Sequence, residues 1–206
     1  MIRMNKRLLG FALSLALIFG LIPFTAASAA TTQNVTLNLD GKKVAFTGAQ
    51  PQLIGGKIFV PYAALAAQLK ATVKTDAASK KTTISLNGKS IVFTPGTVNA
   101  TINGKAVKLE GAPVSKDKSV LVPVRAIGDA FGIWVSWSGS KKTVDLNRTK
   151  TVKHALGETK LNGVPQRVVI LFNGMVDTSV LLGVKPVGAV ESYLQQPFYE
   201  YLRPSL

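Results

Sequence analysis

Apolar and polar residues alternate along most of residues 35–147, and turn-forming dipeptides interrupt this alternation at short intervals. Successive side chains of a β-strand point to opposite faces, so a period of two predicts half-buried strands. The dipeptides Asp40-Gly41, Asn87-Gly88 and Asn103-Gly104 tolerate the positive φ angles that tight hairpins require. We therefore expect a strand-rich region built largely of antiparallel hairpins.

The pattern within residues 35–147 occurs twice. An offset of 62 residues relates Pro61 to Pro123, and the same offset relates three apolar pairs, Leu65 with Ile127, Leu69 with Phe131, and Val73 with Val135. In each half two short strands flank a turn, and a strand ending in Val-Pro opens a helix, where proline fits the first turn. In the second half Val124, Ile127 and Phe131 lie on one helical face. These features predict an α+β fold made of two hairpin–helix–strand units.

A different pattern begins beyond residue 160. Residues 167–172 form an apolar strand, a short helix follows Asn173-Gly174, and a second apolar strand covers residues 187–190. Continuous apolar runs with a helix between them indicate a βαβ unit of a parallel sheet that is buried on both faces. One such unit cannot bury its own faces, so residues 161–206 are interpreted as the opening of an incomplete α/β domain. Residues 149–160, where polar side chains break the pattern, predict a linker.

The N-terminus has the three parts of a secretion signal. Arg3, Lys6 and Arg7 form a basic region, residues 8–22 are apolar, and residues 27–29 have the small-x-small pattern of a cleavage site. The apolar run is short for a membrane span. We therefore predict a signal peptide at residues 1–29, a secreted protein of the cell envelope, and no transmembrane segment after cleavage. An uncleaved N-terminal anchor is the alternative.

The duplicated region resembles the N-terminal, or stalk, domain of copper amine oxidases. The residues that carry the match are Phe59-Val60-Pro61, Val122-Pro123-Val124-Arg125-Ala126-Ile127, Phe131-Gly132, Val135-Ser136-Trp137 and Lys142-Thr143-Val144. The first half departs from the Val-Pro-x-Arg pattern, because Tyr62 and Ala63 replace the x-Arg pair. The resemblance implies a stalk domain at residues 31–148 of an exported bacterial protein.

The composition argues against copper chemistry and against catalysis. Copper needs a cluster of imidazole or thiolate-type ligands, but the chain has no cysteine, and its one histidine, His154, lies outside the duplicated region. No glycine-rich phosphate loop, acid–base pair or Ser/His/Asp set has support in the sequence. We expect a protein without enzyme activity, cofactor or metal site.

The C-terminal region carries a second resemblance. The segments LGETKLNGVPQRVVIL and LLGVKPVGAV resemble the opening of the Fe-siderophore/B12-type substrate-binding proteins of ABC importers, which have a periplasmic-binding fold. The resemblance implies capture of a ferric siderophore or a related chelate, with an ABC permease as partner. The absence of a lipid-bearing cysteine departs from many Gram-positive members of that family. Pocket residues follow the carboxyl ends of parallel strands, which makes Asn173 and Tyr193 candidate ligand-binding residues. Ordinary turn residues are the alternative.

The charge suggests a second function. The formal net charge is +15, and removal of the three basic residues of the signal leaves about +12. Such a protein, exported from a Gram-positive bacterium, should associate with anionic wall polymers or lipid headgroups. The lysines are dispersed in turns, which argues against nucleic acid. Arg125, Trp134 and Trp137 are candidate contacts for a wall polymer or glycan. The alternatives are an ion pair or stacking on a neighbouring tryptophan for Arg125, and core packing for at least one tryptophan.

Overall fold

The computed structural model describes residues 32–190, apart from the side chain of Asn173. The predicted signal peptide and Tyr193 lie outside these residues. The described chain has a mixed α+β fold in which strands predominate, so the predicted class is confirmed. No helix within residues 32–190 is long and apolar enough to cross a membrane.

Residues 32–147 contain fourteen strands and two helices. The first half contains β1 (Gln33–Asn34), β2 (Thr36–Leu39), β3 (Lys42–Lys43), β4 (Gln52–Ile54), β5 (Lys57–Pro61), α1 (Tyr62–Leu69), β6 (Thr72–Thr75), β7 (Thr82–Leu86) and β8 (Lys89–Phe93). The second half contains β9 (Asn99–Ile102), β10 (Lys105–Lys108), β11 (Val114–Lys116), β12 (Ser119–Pro123), α2 (Val124–Phe131), β13 (Trp134–Ser138) and β14 (Thr143–Asn147).

The local predictions for this region are confirmed. The three predicted hairpin dipeptides have positive φ at both residues, and each joins a pair of antiparallel strands. Helix α2 begins directly after Pro123 and buries Val124, Ile127 and Phe131. It ends at Gly132, whose φ of 69° is the left-handed conformation that a helix C-terminus favours.

Elements of the two halves recur at nearly constant spacing. Both the first and the last residues of α1 and α2 differ by 62 positions, as do those of β4 and β11 and of β5 and β12. Strands β5 and β12 pair antiparallel, with Val60 opposite Val122 and Phe59 opposite Pro123. Val60 thus faces its equivalent, Val122, in the middle of a five-stranded sheet of order β1-β4-β5-β12-β11.

Each half also contributes strands to a sheet of the other half. Strand β14 of the second half pairs in parallel with β2 of the first, in a sheet of order β13-β14-β2-β3. Strand β8 of the first half pairs with β9 of the second, in a sheet of order β10-β9-β8-β7-β6. One hydrophobic core joins the two halves and includes Leu37, Val60, Leu65, Ile84, Ile91, Phe93, Val122, Ile127, Val144 and Leu146.

The segment after residue 148 has more regular structure than its polarity indicates. Residues 149–160, interpreted as a linker, lie mostly in an exposed antiparallel hairpin of β15 (Thr149–His154) and β16 (Gly157–Asn162). Hydrogen bonds attach the end of this hairpin to the preceding region: the Gly163 N–H donates to the Arg148 carbonyl, and the Val164 N–H donates to the Gly132 carbonyl. The boundary between two domains in this segment stays a prediction.

The last described elements have the predicted strand–helix–strand order. Strand β17 (Val169–Ile170) pairs in parallel with β18 (Gly188–Ala189). A 3-10 turn (Asn173–Met175) and helix α3 (Val176–Leu181) lie between them. The prediction of strands at residues 167–172 and 187–190 was too long, because only two residues of each form a ladder. The apolar side chains beyond the ladder have no neighbouring strand among the described residues to extend it.

Candidate functional site

Arg125 and Trp137 line one surface groove of about 160 Å³. We call it the Trp137 groove. Glu110 and Lys57 supply further charge, and the apolar lining consists of Leu53, Ile58, Val124 and Val135. The groove therefore combines an aromatic ring, charges of both signs and an apolar floor.

Local structure explains this arrangement. Arg125 is the second residue of α2, and its side chain is 74% exposed because Val124 and Ile127 occupy the core face of the helix. Its Nε lies 3.7 Å from Glu110 Oε2, which makes a weak, solvent-screened pair. Trp137 lies opposite Val144 across the β13–β14 ladder and is 39% exposed at the end of the core. The groove can thus present a ring face beside groups that form hydrogen bonds.

Trp134 lies apart from this groove. Residues 134 and 137 are an odd number of positions apart on β13, so they point to opposite faces of the sheet. The Lys150 ammonium lies 4.8 Å from the centroid of the Trp134 ring, as in a cation–π contact. The indole N–H is buried and has no hydrogen-bond partner among the described residues. The two tryptophans therefore form no shared platform, which the alternation rule could have shown from the sequence.

A second groove, of about 220 Å³, is lined by the start of strand β2, the end of β3 and the turn between β13 and β14. We call it the Lys142 groove. Lys43, Lys141 and Lys142 line it together with Asn34, Thr36 and Gln50, and no acidic residue does. The sequence singled out Lys142 only as part of a family pattern, because the approach of β3 to the β13–β14 turn is a tertiary contact.

The family of the duplicated region follows from comparison with known proteins. The pattern of the family described as copper amine oxidase N-terminal domain matches residues 38–146, which is more than half of the chain. The chain belongs to this family. The predicted resemblance is confirmed, and Arg125, Trp134, Trp137 and most of the Lys142 groove lie within the family domain, which we call the stalk domain.

Two curated proteins are similar to a shorter part of the chain. A probable siderophore-binding lipoprotein, YfiY, of Bacillus subtilis is 40% identical over 72 residues, which cover 34% of this chain and 22% of that protein. An achromobactin-binding periplasmic protein of Dickeya dadantii is 51% identical over 43 residues, which cover 21% of this chain and 14% of that protein. The chain thus spans about a fifth or less of the length of these relatives.

The other two predicted contact residues lie beyond the stalk domain. Asn173 begins the 3-10 turn that follows β17, at the carboxyl end of that strand. Tyr193 lies outside the described residues. The chain beside Asn173 is apolar and open, since Leu171 is 79% and Phe172 70% exposed.

Within residues 32–190, the structure brings together no group of three or more His, Cys, Asp or Glu side chains that could hold a metal ion. His154 lies on the exposed β15–β16 hairpin, where its Nε2 is 2.8 Å from Thr159 Oγ1. Of the described carboxylates, Asp129 has its pKa raised by partial burial, although the positive charge of Arg125 opposes this effect. One isolated carboxyl group of this kind is not an acid–base pair.

An ion pair that the sequence did not predict links the start and the end of the stalk domain. Asp40 and Arg148 are 108 positions apart, yet Asp40 Oδ1 accepts a hydrogen bond from the Arg148 N–H at 2.8 Å and Oδ2 accepts one from Nε at 2.6 Å. Partial desolvation raises the pKa of Asp40, but the hydrogen bonds and positive charge of Arg148 outweigh it and hold this pKa below its ordinary value of 3.8. The pair joins the β2–β3 turn to the end of β14.

Replacement of Asp40 by asparagine should lower the free energy of unfolding at pH 7 by about 1 kcal/mol, because a partly exposed, charge-assisted contact is lost. The pKa of Asp40 is lower in the folded state, so its contribution is present above about pH 4 and is lost as the pH falls through the folded-state pKa. Urea unfolding of the parent protein and of Asp40→Asn, measured from pH 7 to pH 2.5, should show that the difference between their unfolding free energies becomes smaller as the pH falls. Asp117→Asn, at an exposed turn and without an ion pair among the described residues, is the control and should change the free energy of unfolding at pH 7 by less than about 0.5 kcal/mol.

Proposed function

We propose that this chain is an exported solute-binding component of an ABC importer, which captures a ferric siderophore or a related iron chelate and is joined to a stalk domain. The observation that carries the proposal is the 40% identity to a probable siderophore-binding lipoprotein. A second relative is named as a periplasmic achromobactin-binding protein. Both names support an extracytoplasmic location and a binding role. We propose that the chain acts without catalysis and that its partner is an ABC permease.

The region after the stalk domain supports this role. The unit β17–α3–β18 has the parallel pairing of an α/β domain, but only Ile170 and Val176 form its buried core. Leu171, Phe172, Leu181 and Leu182 are 70–85% exposed. Parallel sheets are covered on both faces, so these side chains suit the first unit of a larger lobe. We infer that residues 161–206 begin this solute-binding lobe and that Asn173 and Tyr193 contribute to its ligand site.

The proposed organisation has four parts. A signal peptide occupies residues 1–29, the stalk domain residues 31–148, a connecting segment residues 149–160, and the lobe residues 161–206. We further infer that the stalk domain arose by duplication, because helices and strands of its halves recur at a spacing of 62 residues and Val60 faces its counterpart Val122. The connecting segment contains the β15–β16 hairpin except for Leu161 and Asn162, the last two residues of β16.

A fluorescence titration tests the binding role. The longer product is the protein translated from the gene when the codons after Leu206 are included. It should bind a ferric hydroxamate, catecholate or hydroxycarboxylate chelate with a Kd of about 1 µM or lower, a binding free energy near −8 kcal/mol. Residues 32–206 alone should bind at least about tenfold more weakly, since one strand–helix–strand unit supplies one wall of such a site. Quenching of intrinsic fluorescence measures both. Trp137→Ala is the control, because it removes a fluorophore that belongs to the stalk domain and not to the proposed lobe, and it should leave Kd unchanged.

Absence of saturable binding of all three chelate classes by the longer product would contradict the solute-binding role. Equal, tight binding by residues 32–206 would instead show that the ligand site lies in the stalk domain or in the described unit. Asn173→Ala and Tyr193→Phe then test the two proposed contacts. Each should raise Kd for the bound chelate and leave the unfolding of the stalk domain unchanged.

The Trp137 groove favours a second candidate function, contact with a glycan or wall polymer of the cell envelope. An exposed indole face beside Arg125, Glu110 and Lys57 suits a sugar ring, which stacks on an aromatic ring and forms hydrogen bonds at its edge. Trp134, on the other face of β13, lacks these neighbours. Pull-down with purified cell walls compares the two tryptophans. Trp137→Ala should reduce retention of the protein on the walls, and Trp134→Phe should not.

A further inference from the structure

The Lys142 groove carries an inference beyond solute binding. This groove has a volume of about 220 Å³, and three lysines line it: Lys43, Lys141 and Lys142. The ion pairs among residues 32–190 are Arg125–Glu110, Arg148–Asp40 and Lys153–Glu158, and none of them includes a lysine of the groove. Because no carboxylate lines the groove, the three ammonium groups repel one another and create a positive potential that an anion would relieve.

The backbone around the groove is already held in place. The Thr36 N–H donates to the Lys142 carbonyl at 3.0 Å, and the Val44 N–H donates to the Leu37 carbonyl at 2.8 Å. The Gln50 side-chain amide donates to the carbonyls of Phe46 and Gly48, at 3.0 Å each. These bonds tie the β13–β14 turn and the loop after β3 to strand β2. A ligand would therefore find a formed site and would need to order only the lysine side chains.

The chemistry of the lining indicates the kind of anion. Lysine ammonium groups act as compact point charges that bind phosphate without a fixed geometry, whereas the planar fork of arginine matches both carboxylates and phosphates in bidentate fashion. The groove has three lysines and no arginine. Asn34, Thr36 and Gln50 add amide and hydroxyl groups that can bond to the hydroxyls of a polyol. This combination suits phosphate groups linked through polyols, because a polycarboxylate without hydroxyls would leave the amide and hydroxyl groups of the lining unused.

We propose that the Lys142 groove binds a linear phosphodiester-linked polyol polymer. The concave shape favours a single extended chain over a bilayer, whose headgroups lie in one plane. The proposal gives the envelope-contact role a specific anionic partner and rests on that role, but it does not depend on capture of an iron chelate. It also concerns a different surface from the Trp137 groove.

The test uses residues 30–206 and a soluble poly(glycerol phosphate) oligomer as probe, with Kd measured by calorimetry at low salt. In the test variant Lys43→Gln, Lys141→Gln and Lys142→Gln are combined. The matched control combines Lys80→Gln, Lys81→Gln and Lys105→Gln, which removes the same charge around the corresponding turns of the stalk domain. The test variant should bind at least about tenfold more weakly than the parent, and the control less than about threefold more weakly.

Three results would overturn the proposal. Equal weakening by both triple variants would show that the overall charge attracts the polymer and that the groove does not. Equal affinity for poly-glutamate would remove the preference for phosphate. Tighter binding to vesicles of equal parts phosphatidylglycerol and phosphatidylcholine, lost in the test variant, would assign the groove to a membrane surface. Thermal unfolding verifies that both variants fold, and Lys43→Gln alone serves as the test variant if the triple does not.

The same experiment separates this proposal from the envelope-contact role on which it rests. Trp137→Ala should leave Kd for poly(glycerol phosphate) unchanged while it reduces retention on cell walls. If Trp137→Ala abolishes oligomer binding and the lysine variant does not, the envelope contact stands and the Lys142 groove is not its phosphate site. Retention that the lysine variant reduces and Trp137→Ala does not, with intact oligomer binding in Trp137→Ala, would contradict only the glycan contact.

Discussion

Neither half of the stalk domain should fold when it is produced alone, whereas residues 32–148 should unfold cooperatively. The first half, residues 32–97, loses β14, one of the two partners of β2, because β14 belongs to the second half. The second half, residues 98–148, loses β8, one of the two partners of β9. Both halves also lose the central β5–β12 pair. A chain of about 50–65 residues with open sheet edges and half a core rarely retains net stability, so the expected loss is the whole unfolding free energy, about 5–10 kcal/mol.

Circular dichroism and urea unfolding of the three fragments measure this effect. Each half should show a weak, non-cooperative signal, and residues 32–148 a single transition. Mixing equimolar halves is the internal control, since complementary edges should pair and restore some cooperative signal at high concentration. A cooperative transition in either half alone would contradict the prediction, and it would mean that the exchanged strands add little to stability.

Gly128→Ala should destabilise the stalk domain by about 2 kcal/mol, although alanine favours a helix interior over glycine by about 1 kcal/mol. A Cβ atom at residue 128 of α2 would lie 2.5 Å from Val135 Cγ2 and 2.9 Å from the Ile133 carbonyl oxygen. Backbone cannot move aside as a flexible side chain can, so α2 must shift away from β13. Overpacking of this kind typically costs about 1–3 kcal/mol beyond any gain in propensity. Urea unfolding measures the difference.

Two controls isolate the steric cause. Asp129→Ala, on the exposed face of the same helix, should change stability by less than about 0.5 kcal/mol. Adding Val135→Ala to Gly128→Ala removes one of the two clashing atoms. The double variant should therefore lose less unfolding free energy than the two single variants lose when their losses are added. A stabilising effect of Gly128→Ala would mean that α2 and β13 are not packed as closely as the structure shows.

Several features of this protein could be predicted from local sequence. The hairpins at Asp40-Gly41, Asn87-Gly88 and Asn103-Gly104 depend on residues that accept positive φ, and that preference acts within four residues. The start of α2 after Pro123 and its buried face depend on one proline and on the spacing of apolar residues. The order of β17, α3 and β18 follows from two apolar runs with a helical segment between them.

The lengths of the C-terminal strands and the regular structure of residues 149–160 were missed for the same reason. A strand extends only where a neighbouring strand accepts its hydrogen bonds, so an apolar run such as residues 167–172 predicts a strand but not its length. The polar residues 149–160 carry a weak strand signal alone, and they form a hairpin because β15 and β16 pair with each other over six positions each. Pairing is a property of two segments, which a single window does not show.

The candidate sites also combine features that local sequence predicts with contacts that depend on the tertiary structure. Local sequence was enough to predict the copper amine oxidase N-terminal domain family, the α+β class, and the residues that could offer charge or an aromatic ring, since these depend on composition and on short-range pattern. Which of these residues meet depends on the folded chain: Arg125 with Trp137, Asp40 with Arg148, and Lys43 with Lys141 and Lys142. The pairing of β14 with β2 brings together residues about a hundred positions apart. Contacts of that range depend on the packing of the whole core, so no local pattern in the chain specifies them.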